Sequence, residues 1–202
     1  MNVALFGGTF DPPHRGHLAI AEAAADAFRL DKVLFAPAGR QPLKLGGGAS
    51  PFADRLAMVE LTCALDARFA VSEVDAPHTD GSPNYTVDAL QTLRRALPQG
   101  NRLFNLVGAD SFLDLRRWRE PERLLELADW IVVSRPGFPL ESLDALELTS
   151  EQRGRVHLLN GVHEDVSATG LRERLETGVC CTDVLPERVA EYIESHGLYQ
   201  RH

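Results

Sequence analysis

Continuous apolar runs and amphipathic stretches take turns along this chain, and each kind predicts a different element. Residues 3–6 are apolar at every position and stop at Gly7-Gly8, which predicts a short buried strand. Residues 16–28 are Ala-rich, with Leu18, Ala21, Ala25 and Phe28 at helical spacing. Residues 33–36 give the next strand, ended by Pro37. A Gly- and Pro-rich loop follows over 38–51, and its three successive glycines from Gly46 predict mobility. Further on, the pattern predicts a helix over 54–64, a strand over 69–74, a polar loop over 78–84 and a helix over 86–97. A strand over 103–107, a helix over 120–128 and a strand over 130–133 come next, then a weaker strand over 156–159. Two helices close the pattern, over 169–176 and 186–196.

Strand and helix alternating at this spacing predict an α/β fold: a Rossmann-like, doubly wound parallel sheet with helices on both faces. The sequence holds no repeat and no low-complexity tail, so a single domain over 1–202 is expected. Its last part, from about 165 to 202, is expected to be a helical cap. Charge narrows the partners. The net charge is −8, from 29 acidic residues against 21 Lys and Arg, which argues against a protein that works on DNA or RNA phosphates. A small anion held by a local cation cluster is compatible with it. No apolar run approaches the roughly 20 residues that span a bilayer, and the first residues carry no basic leader, so no membrane partner is expected. Cys63, Cys180 and Cys181 are odd in number and two are adjacent, which favours a reducing cytoplasm. The sequence leaves a homo-oligomer open.

The informative stretch is Gly7-Gly8-Thr9-Phe10-Asp11-Pro12-Pro13-His14-Arg15-Gly16-His17. It falls at the carboxyl end of the first strand and the start of a helix, where open α/β sheets bind ligands. The glycines let backbone approach a ligand, and the unpaired N–H groups of the helix start favour an anion. His14 and His17 lie three residues apart, so both rings can face the same phosphates, and Gly16 leaves room for a nucleotide against the helix. Taken singly, Gly-Gly reads as a turn and each histidine as a surface residue; the combination is the signal. Neither a P-loop nor a G-x-G-x-x-G run occurs, which argues against a kinase or a dehydrogenase. His157, His163 and the Cys180-Cys181 pair match no zinc spacing, so no metal ligands are expected.

GGTFDPPHRGH resembles the HxGH form of the nucleotidyltransferase signature. Further stretches are similar, in order and spacing, to the bacterial nicotinate-nucleotide adenylyltransferase family: SPFADRLAMVELT, NYTVDAL, LFNLVGADSFLDLRRW, VVSRPGF, VSATGLRERL and LPERVAEYIESHGLY. The likeness runs nearly end to end. It implies adenylyl transfer from ATP to nicotinate mononucleotide, with Mg²⁺ arriving on the ATP and no covalent enzyme intermediate. It implies His14, His17, Lys44 and Arg172 as the catalytic cations and donors. It places ATP against Gly7, Gly8, Thr9, Phe10, Gly16, Gly108, Asp110, Ser167 and Thr169, and the mononucleotide against Tyr85, Thr86, Trp118 and Arg135. From the residues alone, Asp110 reads equally as a helix cap, Thr86 as an N-cap, Trp118 as core and Arg135 as a solvated arginine.

Three departures stand out. Leu43 occupies a position where the family usually has a polar ring, Ala168 replaces a hydroxyl residue, and Arg119 follows Trp118 where an aromatic is common. They leave open the amide mononucleotide, phosphopantetheine or a cytidylyl-transfer substrate as acceptor chemistry. A catalytically silent nucleotide-binding module is the further alternative.

Overall fold

The computed structural model describes residues 1–40, 49–134, 140–162 and 166–200, with the side chains of 140–142 left aside. Its strands are β1 (Asn2–Gly8), β2 (Lys32–Pro37), β3 (Phe69–Val71), β4 (Arg102–Gly108), β5 (Asp129–Val133) and β6 (Val156–Leu159). All neighbouring pairs run parallel, in the order β3-β2-β1-β4-β5-β6. The chain builds outward from β1 in one direction, then returns and builds from β4 in the other. The expected Rossmann-like doubly wound sheet is therefore present, and its switch point lies between the carboxyl ends of β1 and β4.

The apolar runs become strands because both faces of the sheet are covered. Ala4, Phe6, Phe104 and Ile131 pack on one face against Ala21, Ala24 and Ala25 of α1 (Arg15–Phe28). Leu5, Leu103, Trp130 and Val132 point to the other face. There they meet Val87 and Leu90 of α3 (Thr86–Ala96) and Leu124 and Leu125 of α5 (Pro121–Leu127). Between them in the chain, α2 (Phe52–Cys63) has two buried sides. Val59 and Cys63 reach the sheet, while Met58 meets Leu171 of α7 (Ala168–Glu176) and Val189 and Ile193 of α8 (Glu187–Ser195).

Two short helices escape the sequence pattern, α4 (Ala109–Leu113) and α6 (Ser150–Gly154). Five residues are too few for a helical repeat to show. Strand β3 also ends at Val71, three residues before the expected Val74, because Ser72 gives the last bond to Phe35 O and the chain then turns. Most of the expected glycine-rich loop, with the run from Gly46, lies outside the described residues. Among the described residues, no helix is long and apolar enough to cross a membrane.

Candidate active site

The carboxyl end of β1 opens onto the switch point through glycine. A Cβ at Gly7, or at Gly108 on the end of β4, would meet nothing within 4 Å, so both strand ends face empty space. Gly8 differs: a Cβ there would press to 3.1 Å on the ring of Phe10. Phe10 adopts φ 49° and is 1% exposed, so its ring is a wedge beneath the loop and only its backbone is available to a ligand. That ring meets His17 edge-on at 4.9 Å between centroids.

His14 sits at the N-cap of α1 in extended backbone, and its N–H donates to His17 Nδ1 at 3.2 Å. The two rings lie 3.8 Å apart, inclined by 30°. Because His17 Nδ1 accepts, the proton of its neutral ring sits on Nε2, which leaves Nε2–H as its donor. Burial lowers His14 to about 4; burial, then the neighbouring His14, holds His17 well below the usual histidine range. Both are neutral donors at pH 7. His14 Nδ1 is buried and has no hydrogen-bond partner among the described residues, which costs free energy unless a ligand pairs with it. Gly16, between the histidines, is buried against the fold.

A buried polar network fastens this loop from behind. Asp11, 2% exposed, accepts from Ser50 N–H at 3.1 Å and from the Tyr199 hydroxyl at 2.6 Å. Arg55, 4% exposed, donates to Thr9 O at 2.8 Å and to Ser50 O at 3.0 Å. Arg172 donates to Asp11 O at 2.8 Å, so it stands beside the motif loop. It also reaches Thr169 Oγ1 at 3.3 Å, while Ser167 Oγ caps α7 by accepting from Gly170 N–H. Sequence patterns assign roles to Arg172, Ser167 and Thr169 and none to Arg55 or Tyr199. Arg55 carried a usable signal: it shares a helical face with Met58, Val59 and Thr62, all buried, and an arginine on such a face needs partners. Tyr199 carried none, since its partner is 188 residues away.

On the other side of Gly7-Gly8 lies a cleft of about 650 Å³, whose described lining includes Tyr85, Thr86, Trp118 and Arg119. The histidine rings are not among its lining residues; they stand beside the cleft, across the glycine turn. Tyr85 is the N-cap of α3 and makes no side-chain cap, and Thr86 is the first helical residue rather than the cap. Trp118 is half-buried, edge-on to the core residue Trp130 at 6.0 Å, with its remaining surface in the cleft. Arg119 lies over the Tyr85 ring at 4.6 Å. The N-cap of α4 is Gly108, and Asp110 is exposed in its first turn. Asn84, buried just before Tyr85, accepts from Arg40 N–H and donates to Ala76 O, which fixes this wall. Lys44 and Arg135 lie outside the described residues.

Among the described residues, no group of three or more His, Cys, Asp or Glu side chains is placed to hold a metal. His157 packs between Phe28 and Phe104, 5.7 and 6.2 Å from their centroids, away from the switch point.

A parallel sheet with a histidine motif and a cleft at its switch point fits a nucleotidyltransferase, and the Cytidylyltransferase-like family matches residues 5–174. A protein of Roseiflexus sp. (strain RS-1), named "Probable nicotinate-nucleotide adenylyltransferase", is 45% identical over 98% of each chain. A Thermus thermophilus protein of the same name is 41% identical, over 99% of this chain and 100% of its own. The chain belongs to the nicotinate-nucleotide adenylyltransferase family. In fold it is similar to the Plasmodium falciparum nicotinic acid mononucleotide adenylyltransferase solved with NaAD, with TM-score 0.74, 17% identity and coverage of 98% and 97%.

Proposed function

We propose that this protein transfers the adenylyl group of ATP to nicotinate mononucleotide, giving nicotinate adenine dinucleotide and pyrophosphate in NAD biosynthesis. The carrying observation is the juxtaposition at the switch point: two neutral imidazoles 3.8 Å apart on one side of Gly7-Gly8, a cleft of about 650 Å³ on the other. An oxygen of the mononucleotide phosphate attacks the α-phosphorus of ATP, the bond to the α–β bridging oxygen breaks, and pyrophosphate leaves. With a second pKa of about 6, the attacking phosphate is mostly dianionic at neutral pH and requires no protein base.

The chain supplies alignment and donors. Gly7 and Gly108 let the nucleotide lie close to backbone; Thr9, Phe10 and Gly16 border it; and Asp110 accepts from a ribose hydroxyl. His17 Nε2–H and His14 donate to phosphate oxygens, which gives His14 Nδ1 the partner it lacks among the described residues. Arg172, with Ser167 and Thr169 beside it, holds the outer phosphates, where an arginine fork suits the oxygen geometry. Lys44 and Arg135 add charge to the triphosphate and the mononucleotide phosphate. In the cleft, Trp118 stacks on the pyridine ring, and the N–H groups beside Tyr85 and Thr86 meet its substituent. Mg²⁺ would arrive as part of the ATP substrate and would supply countercharge for the pyrophosphate.

The test offers the purified chain ATP, Mg²⁺ and each acceptor in turn, and reads pyrophosphate release with dinucleotide formation. Turnover on nicotinate mononucleotide is expected. Turnover on phosphopantetheine alone would overturn the acceptor, and none on any acceptor would leave a silent nucleotide-binding module.

A further inference from the structure

The cleft carries charges of both signs, and they are not equally neutralised. Arg117 and Asp114, both on its wall, bond to each other at 3.2 Å. Asp75 also lines it, on the segment whose carbonyl receives Gly39 N–H. Arg119 has only Glu120 as a carboxylate neighbour among the described residues, at 3.7 Å, too long for a good hydrogen bond. Its guanidinium is instead laid over the Tyr85 ring at 4.6 Å, next to the residue that opens α3. A cation on an aromatic face keeps its outward N–H groups available, and the stacking limits how far the long side chain wanders.

We propose that Arg119 is a specificity-determining residue that selects an acceptor with an anionic ring substituent over its neutral amide, by presenting a guanidinium pinned on Tyr85. This rests on the adenylyl-transfer reading and sharpens it. Trp118 can stack on either ring, because acid and amide have the same shape and nearly the same π surface. Asp75 adds negative charge to the same cleft, which works against a carboxylate. A cation at the ring end offsets that charge and adds to the N–H groups beside Tyr85 and Thr86 in favouring the acid, and Arg119 supplies it from the residue next to the stacking tryptophan.

The experiment compares kcat/KM for nicotinate mononucleotide and nicotinamide mononucleotide in wild type, Arg119→Gln and Arg119→Lys, with ATP and Mg²⁺ saturating. In Arg119→Gln the acid-to-amide ratio is expected to fall about 10-fold, as loss of a charge-assisted contact. The loss appears as a raised KM for the acid, with kcat staying within about threefold of wild type, the pattern for an interaction present equally in ground and transition states. Arg119→Lys restores part of the ratio, since charge returns without the planar fork. Added salt lowers the ratio in wild type and not in Arg119→Gln. An unchanged ratio in Arg119→Gln overturns the proposal, as does an equal fall on both acceptors, the mark of a merely structural role. Wild type that turns over neither mononucleotide overturns the functional reading itself. Wild type that uses both equally overturns only the selection.

Discussion

His14 and His17 stand at the start of α1, beside a loop that is fastened from behind, whereas Trp118 and Arg119, facing the cleft, each rest on one aromatic neighbour. Behind the motif, Asp11 and Arg55 are almost completely buried and tie together Thr9, Ser50 and Tyr199. In the cleft, Arg119 is exposed and rests on a ring, and Trp118 touches the core by one edge. In the proposed reaction the phosphates meet the region braced by the buried network, where a small shift would misdirect two donors at once. The acceptor would then rely on flat surfaces that tolerate small shifts. Rate is expected to depend on the first region, and discrimination on the second.

The sharpest way to break this contrast is His17→Ala. Removing one preorganised donor at the reacting phosphates should lower turnover about 10²–10³-fold. Steady-state kinetics checks it; turnover close to that of wild type would mean that His17 only packs on Phe10. Arg55→Met comes next. It strips two carbonyls of their donor and leaves Asp11 without its nearest buried cation, so unfolding free energy should fall by about 3 kcal/mol. Urea unfolding measures this, and a loss below about 1 kcal/mol would show that water substitutes freely. Tyr199→Phe removes one hydroxyl bonded to a buried carboxylate, which should cost about 1.5–2 kcal/mol. Its kcat should drop with KM for the acceptor unchanged, since the bond braces the loop and not the cleft.

Much of this division was readable in the chain, and the reasons for the gaps are physical. Strands buried on both faces read as apolar runs, so β1, β4 and β5 were visible within one or two residues. The histidine motif was visible because all its parts are adjacent in sequence. Even so, the residues alone could not tell whether Phe10 meets nucleotide or core; a positive φ and a ring under His17 turn it inward. The brace behind the loop was hidden because its bonds span 39, 46 and 188 residues. Arg119 was visible as a departure, but its seat on Tyr85 is a contact between separate elements that no local pattern encodes. Nor did periodicity show that the cleft and the histidines lie on opposite sides of the glycine turn.

Acid separates the two regions most finely. His14 is held down to about 4 by burial, and His17 is lowered too, so the folded chain resists protons that the unfolded chain accepts. As pH falls from the ordinary histidine value towards 4, this mismatch increasingly destabilises the fold; above that value it has no effect. Asp75 on the cleft wall has the opposite sign. Burial pushes its carboxyl up to about 6, with His78 opposing, so the folded chain prefers it protonated. The penalty for ionising it is absent below the ordinary aspartate value and is complete once pH has risen through about 6. Asp75→Asn removes the second effect and leaves the first. The variant should be more stable than wild type at pH 7.5, by about 1 kcal/mol after allowance for solvent screening of a partly exposed group. Its advantage should shrink towards zero near pH 4, while its own stability falls more steeply with acid than that of wild type. Urea unfolding at half-unit steps from pH 4 to 8 resolves the two curves. If they run parallel, Asp75 is as well solvated as a surface carboxylate, and the cleft wall is wetter than its burial implies.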